Sequence, residues 1–193
     1  MIASLIAAVL LTAAPGPLEV VKSGNADVQK VASAPGAKVE QLTKAVERFV
    51  DFGELSKRAL GKQWDTLTPA QRKDFSETMQ GLLKASYAQK ALGQGKAQVE
   101  YGKESVQGNE ATVATTLKVK QDVVPVEYKL FRENEKGEWR IYDIVTDDVS
   151  LLETYQGQFR KLMADKGFDG LLTTLKSKRA QLEKNSGATS PAQ

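Results

Sequence analysis

EWRIYDIVTDDVSLLETYQGQF, residues 138–159, changes its hydrophobic period midway, and that change decides the fold class. The first half reads as a strand: Trp139, Ile141 and Val145 fall on one face at period 2, while Tyr142 and Ile144 fall on the other. Apolar side chains on both faces suit a strand that is covered on both sides. The second half reads as a helix, because Leu151 or Leu152, Tyr155, Phe159, Leu162 and Met163 recur at three- and four-residue spacings. Between the halves, Thr146-Asp147-Asp148-Val149-Ser150 offers carboxylates and hydroxyls that can accept from the unpaired N–H groups of a helix start. A last strand that turns directly into a helix packing back over the sheet is the expectation.

Working back towards the N-terminus, the same period-2 pattern recurs three times. Residues 98–105 place Val99 and Tyr101 on one face, Gly108-Asn109 makes a turn, and residues 111–120 align Val113, Leu117 and Val119. Residues 124–131 align Val124, Val126, Tyr128 and Leu130, with Pro125 removing one ladder donor near the start. Short turns between consecutive strands predict a four-stranded antiparallel meander. Helices precede it: residues 17–34, opened by Pro17 with Gly24 as a weak point; residues 37–50, striped by Val39, Leu42, Val46 and Phe49; a third from Asp51 to Gly61; and a long one over 69–92 stopped by glycines. Asp51 with Glu54, and Thr68 with Gln71, have the spacing of capping boxes. Beyond the sheet, a helix to about Asp165 breaks at Lys166-Gly167, and a last helix carries Leu171, Leu172, Leu175 and Leu182. The order is α+β, and a curved antiparallel sheet with helices over it resembles the NTF2-like architecture.

Composition narrows the chemistry. The 193 residues contain no His and no Cys, which excludes Cys nucleophiles, Ser-His-Asp triads, His general bases and Cys/His zinc sites. A formal charge of +3, from 27 basic and 24 acidic residues interspersed along the chain, lacks the concentrated basic face of a nucleic-acid binder. Residues 2–14 form an uncharged apolar run of signal-peptide length, so a signal segment over 1–16, a domain over 17–184 and a disordered tail over 185–193 are expected.

Four pieces, taken together, resemble the MlaC, or toluene-tolerance, family of periplasmic phospholipid-binding proteins. They are Thr68-Pro69-Ala70-Gln71-Arg72 with the apolar helix ending Leu83-x-x-x-Tyr87; Trp139-x-x-Tyr142-Asp143; Val149-Ser150-Leu151 with Tyr155 and Phe159; and Lys166-Gly167-x-x-Gly170-Leu171. The resemblance implies a soluble carrier of glycerophospholipid in the periplasm, and a carrier that hands over cargo is most simply a monomer. Its implied partners are an outer-membrane lipoprotein and porin complex and an inner-membrane ABC transporter presenting MCE domains. It implies no cofactor, no metal and no catalytic residue, only an apolar cleft between sheet and helices with phospholipid as cargo. At about 0.8 kcal/mol per buried CH₂, a diacyl lipid of around 30 methylenes costs on the order of 20 kcal/mol to leave in water. A carrier must therefore supply a dry slot for the tails.

The cleft residues expected are Leu82, Leu83, Tyr87, Val113, Leu117, Val126, Tyr128, Tyr142, Ile144, Leu152 and Tyr155. Each fits an ordinary core equally well, because an apolar stripe looks the same in both settings. The tyrosines suit a cleft mouth, with ring towards lipid and hydroxyl towards water. Asp143, Asp147 and Asp148 form an acidic cluster read as capping and turn residues. Two other readings stand beside the carrier: an envelope interaction protein without lipid, and an NTF2-like small-molecule enzyme using Asp143 with Tyr142. Strand alternation argues against the latter by pointing these neighbours to opposite faces.

Overall fold

The computed structural model of the chain describes residues 14–88 and 97–187. The apolar run expected as a signal segment falls almost wholly outside them, as does the end of the expected tail. Among the described residues five α-helices, α1 (Pro17–Ala32), α2 (Val39–Val46), α3 (Phe52–Leu60), α4 (Pro69–Leu83) and α5 (Leu151–Gly187), accompany a single sheet. Its strands β1 (Gln98–Gln107), β2 (Glu110–Val119), β3 (Asp122–Phe131), β4 (Arg140–Thr146) and β5 (Val149–Ser150) pair in sequence order, all antiparallel. Among the described residues no helix is long and apolar enough to cross a membrane.

The sheet has five strands rather than the expected four. Asp147 and Asp148 both adopt positive φ, 48° and 62°, and so form the centre of a two-residue turn that reverses the chain. Val149 and Ser150 then pair with Thr146 and Val145 before α5 begins. Of the capping and turn roles that the sequence offers these two aspartates, they take the turn, as polar residues tolerant of left-handed backbone.

The second helix is also shorter than its apolar stripe suggested. Its expected C-terminal end is drawn out against β4: the Ile141 N–H donates to the Phe49 carbonyl at 2.7 Å, and the Asp51 N–H donates to the Ile141 carbonyl at 2.8 Å. That second bond explains a detail at α3. Asp51 caps the helix by accepting from the Glu54 N–H, but Glu54 does not close the box, since the Asp51 N–H is already taken. The Glu54 carboxylate pairs with Lys57 and Arg58 instead. At α4, where no strand competes, the Thr68–Gln71 box forms as expected. After Leu83 the helix widens into a π-helical turn, Lys84–Ala88, and the glycine stop expected beyond it lies outside the described residues.

Two apolar cores result. A helical core joins Leu55 and Ala59 of α3, Phe75, Met79 and Leu82 of α4, and Leu152, Phe159, Leu171 and Leu175 of α5. Gly167, at φ 66°, breaks α5 so that both of its halves reach this core. A sheet core places Ala111, Val113, Val126, Tyr128, Leu130 and Ile141 beneath Val21 of α1, Val50 and Trp139. Gly24, read as a weak point of α1, marks a close approach: a Cβ there would meet the Phe49 ring at 2.9 Å.

Candidate functional site

Between the two cores the packing is incomplete. An apolar cavity of about 580 Å³ opens there, walled by Val28 of α1, Leu42, Thr43 and Val46 of α2, Val50, Phe52 and Leu55 around the start of α3, and Gln80, Leu83 and Lys84 of α4 and its π turn. Ile141 to Ile144 of β4, Thr146, Val149, and Leu151 and Thr154 of α5 complete the wall. Well-packed interiors leave few voids larger than a water molecule, and this one is in the range of pockets that enclose an organic ligand, about 300–1,000 Å³. Its depth is set by Leu42, Leu55 and Ile141, all buried, and its outer side by exposed Val149 and half-exposed Lys84.

The cavity exists because the outer edge of β4 is covered only at its two ends. Val50 bridges Ile141 at one end and β5 pairs with Val145 and Thr146 at the other, and the cavity lies along the residues between. A bulge shapes the same stretch: the register skips from Lys129↔Asp143 to Leu130↔Ile141, leaving Tyr142 as the extra residue. Ile141 and Ile144 consequently both pack towards the sheet core, while Tyr142 joins the helical core. This corrects the simple alternation, which set Ile141 and Ile144 on opposite faces. It also removes the alternation argument against Tyr142 and Asp143 working together, because the bulge turns both towards the helices.

Their surroundings give each a structural task. Asp143 is almost wholly buried and accepts from the Ser150 hydroxyl at 2.7 Å and the Leu152 N–H at 2.9 Å, with the Lys129 ammonium at 3.3 Å. Ser150 in turn accepts from the Glu153 N–H, so the pair caps α5 against its own N-terminal dipole. Tyr142 lies beneath the Arg58 guanidinium, 3.7 Å from the ring centre, and Arg58 also pairs with the Glu110 carboxylate. Burial of the phenol, then the neighbouring Glu110 carboxylate, with a smaller push from Asp143, raise its pKa to about 12 against the opposing pull of Arg58. A phenol so held keeps its proton far above neutral pH.

A raised pKa in the folded state means stability that is complete below the ordinary tyrosine value near 10 and lost as pH climbs towards 12. The urea midpoint is expected to fall across that interval more steeply in the wild type than in Tyr142→Phe. Parallel slopes for the two proteins would show that Tyr142 is not held in this way.

Of the residues expected to line a cleft, Leu83, Tyr142 and Ile144 stand on the cavity wall. Leu82, Leu152 and Tyr155 lie in the helical core, and Val113, Val126 and Tyr128 in the sheet core with Leu117 packed beside them. The Tyr128 hydroxyl donates to Asn25 Oδ1 of α1 at 3.0 Å, away from the cavity, and the side chain of Tyr87 lies outside what the structure describes. The wall residues of α1, α2 and the 50–55 segment were not anticipated. Leu42 and Val46 belong to a stripe visible in the sequence, but periodicity marks the inward face of a helix without saying whether it meets side chains or a space. The basic residues near α3 are largely engaged nearby: Lys57 and Arg58 with Glu54, Arg58 also with Glu110, Arg72 with the carbonyls of Trp64 and Asp65, and Lys73 with Glu77.

Fold and cavity define the class: an α+β domain that keeps one apolar space open between its helices and the edge of its sheet. The chain belongs to the MlaC family, whose family model, described as MlaC protein, matches residues 18–177. Over 137 residues it is 26% identical to the intermembrane phospholipid transport system binding protein MlaC of Haemophilus influenzae. That alignment takes in 69% of this chain and 64% of the relative, so the chain spans a little under two thirds of that protein's length. In fold it is similar, with a TM-score of 0.74 over 85% of this chain and 94% of the other, to a phospholipid-binding protein from Ralstonia solanacearum solved in complex with a phospholipid. At 24% identity that likeness concerns the fold.

Proposed function

We propose that this protein is a periplasmic phospholipid carrier, which takes glycerophospholipid tails into the cavity between the two cores and moves them between an outer-membrane complex and an inner-membrane MCE-domain ABC transporter. The observation that carries the reading is the apolar cavity of about 580 Å³. An interaction protein without cargo has no need of it, since closing such a space would recover packing and burial on the order of 24 cal/mol per Å³. Membership of the MlaC family and the similarity to the phospholipid transport system binding protein of Haemophilus influenzae support the same reading. Carriage breaks no bond, so it asks of the chain only a dry wall for tails and a way for them to leave.

The test is transfer. Protein loaded from vesicles carrying labelled phospholipid, then mixed with a detergent-solubilised MCE-domain transporter, is expected to pass label to that complex and not to an unrelated membrane protein. Label that stays with the protein, or passes equally to both, would contradict a shuttle between specific complexes.

A further inference from the structure

Among the described residues on the cavity wall, Lys84 is the sole cation and Asp143 the sole carboxylate. They differ in how far their charges are already satisfied. Asp143 is buried and held by Ser150, the Leu152 N–H and Lys129. Lys84, at the end of α4, has its side chain 36% exposed and faces Glu40 of α2 at 3.9 Å, with the glutamate itself 68% exposed. An ion pair this long and this wet contributes close to nothing, so the ammonium is available to a better partner. Elsewhere on the wall, Thr146 and Val149 flank the exposed acidic turn Asp147-Asp148. A phosphate at the mouth is therefore attracted to the α4 side and repelled from the sheet side.

We infer that Lys84 seats the phosphate of the bound lipid, exchanging Glu40 for it, and so selects phosphorylated diacyl lipids over neutral ones with the same tails. The inference rests on the carrier reading. Tails then supply affinity, and Lys84 supplies the orientation and the preference for an anionic head. The contact between α2 and α4 rests instead on Gln80 donating to Glu47 at 2.6 Å, so the exchange of Glu40 for a phosphate leaves the two helices joined.

The experiment loads wild type, Lys84→Glu, Lys84→Gln and Glu40→Gln from vesicles holding labelled phosphatidylglycerol or labelled diacylglycerol of matched chains, with folding checked by urea midpoint. Lys84→Glu is expected to lower phosphatidylglycerol loading about tenfold, the scale of one charge-assisted contact, and to leave diacylglycerol loading unchanged. Glu40→Gln is expected to act in the opposite direction, raising phosphatidylglycerol loading by removing a negative charge that repels the phosphate beside Lys84. High salt should shrink the wild-type preference between the two lipids. If Lys84 were only a tie to α2, Lys84→Gln and Glu40→Gln would move both lipids alike, and that result overturns the assignment. Loading of neither lipid by wild type overturns the carrier reading and this inference with it, whereas equal loading of both lipids by wild type and every variant overturns Lys84 alone.

Discussion

Leu83→Trp is expected to empty the cavity of cargo while the protein stays folded. Leu83 belongs to the helical core and also stands on the wall at the end of α4, so an indole in its place has open space on the cavity side. Overpacking of a filled core costs about 1–3 kcal/mol, and a site bordering a void belongs at the low end of that range. Bound lipid is expected to fall by about tenfold or more, each factor of ten being about 1.4 kcal/mol of affinity. Leu117→Trp supplies the contrast. Leu117 packs beside the sheet core on β2 and is absent from the wall, so whatever that change does to stability, a folded Leu117→Trp protein should carry its normal load. Full loading of a folded Leu83→Trp protein would show that lipid does not occupy this cavity.

Asp143→Ala is expected to cost about 3 kcal/mol of folding stability, near the low end for breaking a buried ion pair. The loss has several parts: the Ser150 hydroxyl and the Leu152 N–H lose their acceptor, Lys129 loses its partner, and the positive end of α5 loses a buried negative charge. For a chain of this length, that corresponds to a fall in Tm of about 6–12 °C. Asp143→Asn keeps an acceptor for the helix N–H but no charge, and should fall between the two. A change in urea midpoint worth less than about 0.5 kcal/mol for Asp143→Ala, the scale of an unremarkable surface substitution, would contradict the capping role.

Asp143 also shows which kind of fact the sequence carries. Strands were legible because side chains alternate: β2 buries Ala111, Val113 and Thr115, β3 buries Val126, Tyr128 and Leu130, and their register aligns them as the period-2 pattern requires. The caps at Asp51 and Thr68 were legible because capping is local in sequence. The bulge at Tyr142 was not, since a bulge depends on how two strands pair and not on the residues of either alone. For Asp147-Asp148 the sequence left capping and turn roles side by side, because Asp suits both, and only the pairing of Ser150 with Val145 separates them.

The site divides in the same way. Leu83, Tyr142 and Ile144 reached the wall from apolar stripes that also delivered Leu82, Leu152 and Val113 to closed core. A stripe reports burial, and a cavity is a failure of two buried surfaces to meet. Here that failure is placed by long-range pairing: residues 49–51 cover one end of the β4 edge, β5 covers the other, and the stretch between faces α2 and α4 across open space.

Whether this space holds phospholipid can be read from the mass of the protein. Protein purified from the cell envelope and weighed under native conditions, then again after organic extraction, is expected to show an excess mass that disappears, with diacyl phospholipid recovered in the solvent. A native mass equal to that of the bare chain, together with no uptake from labelled vesicles, would contradict it.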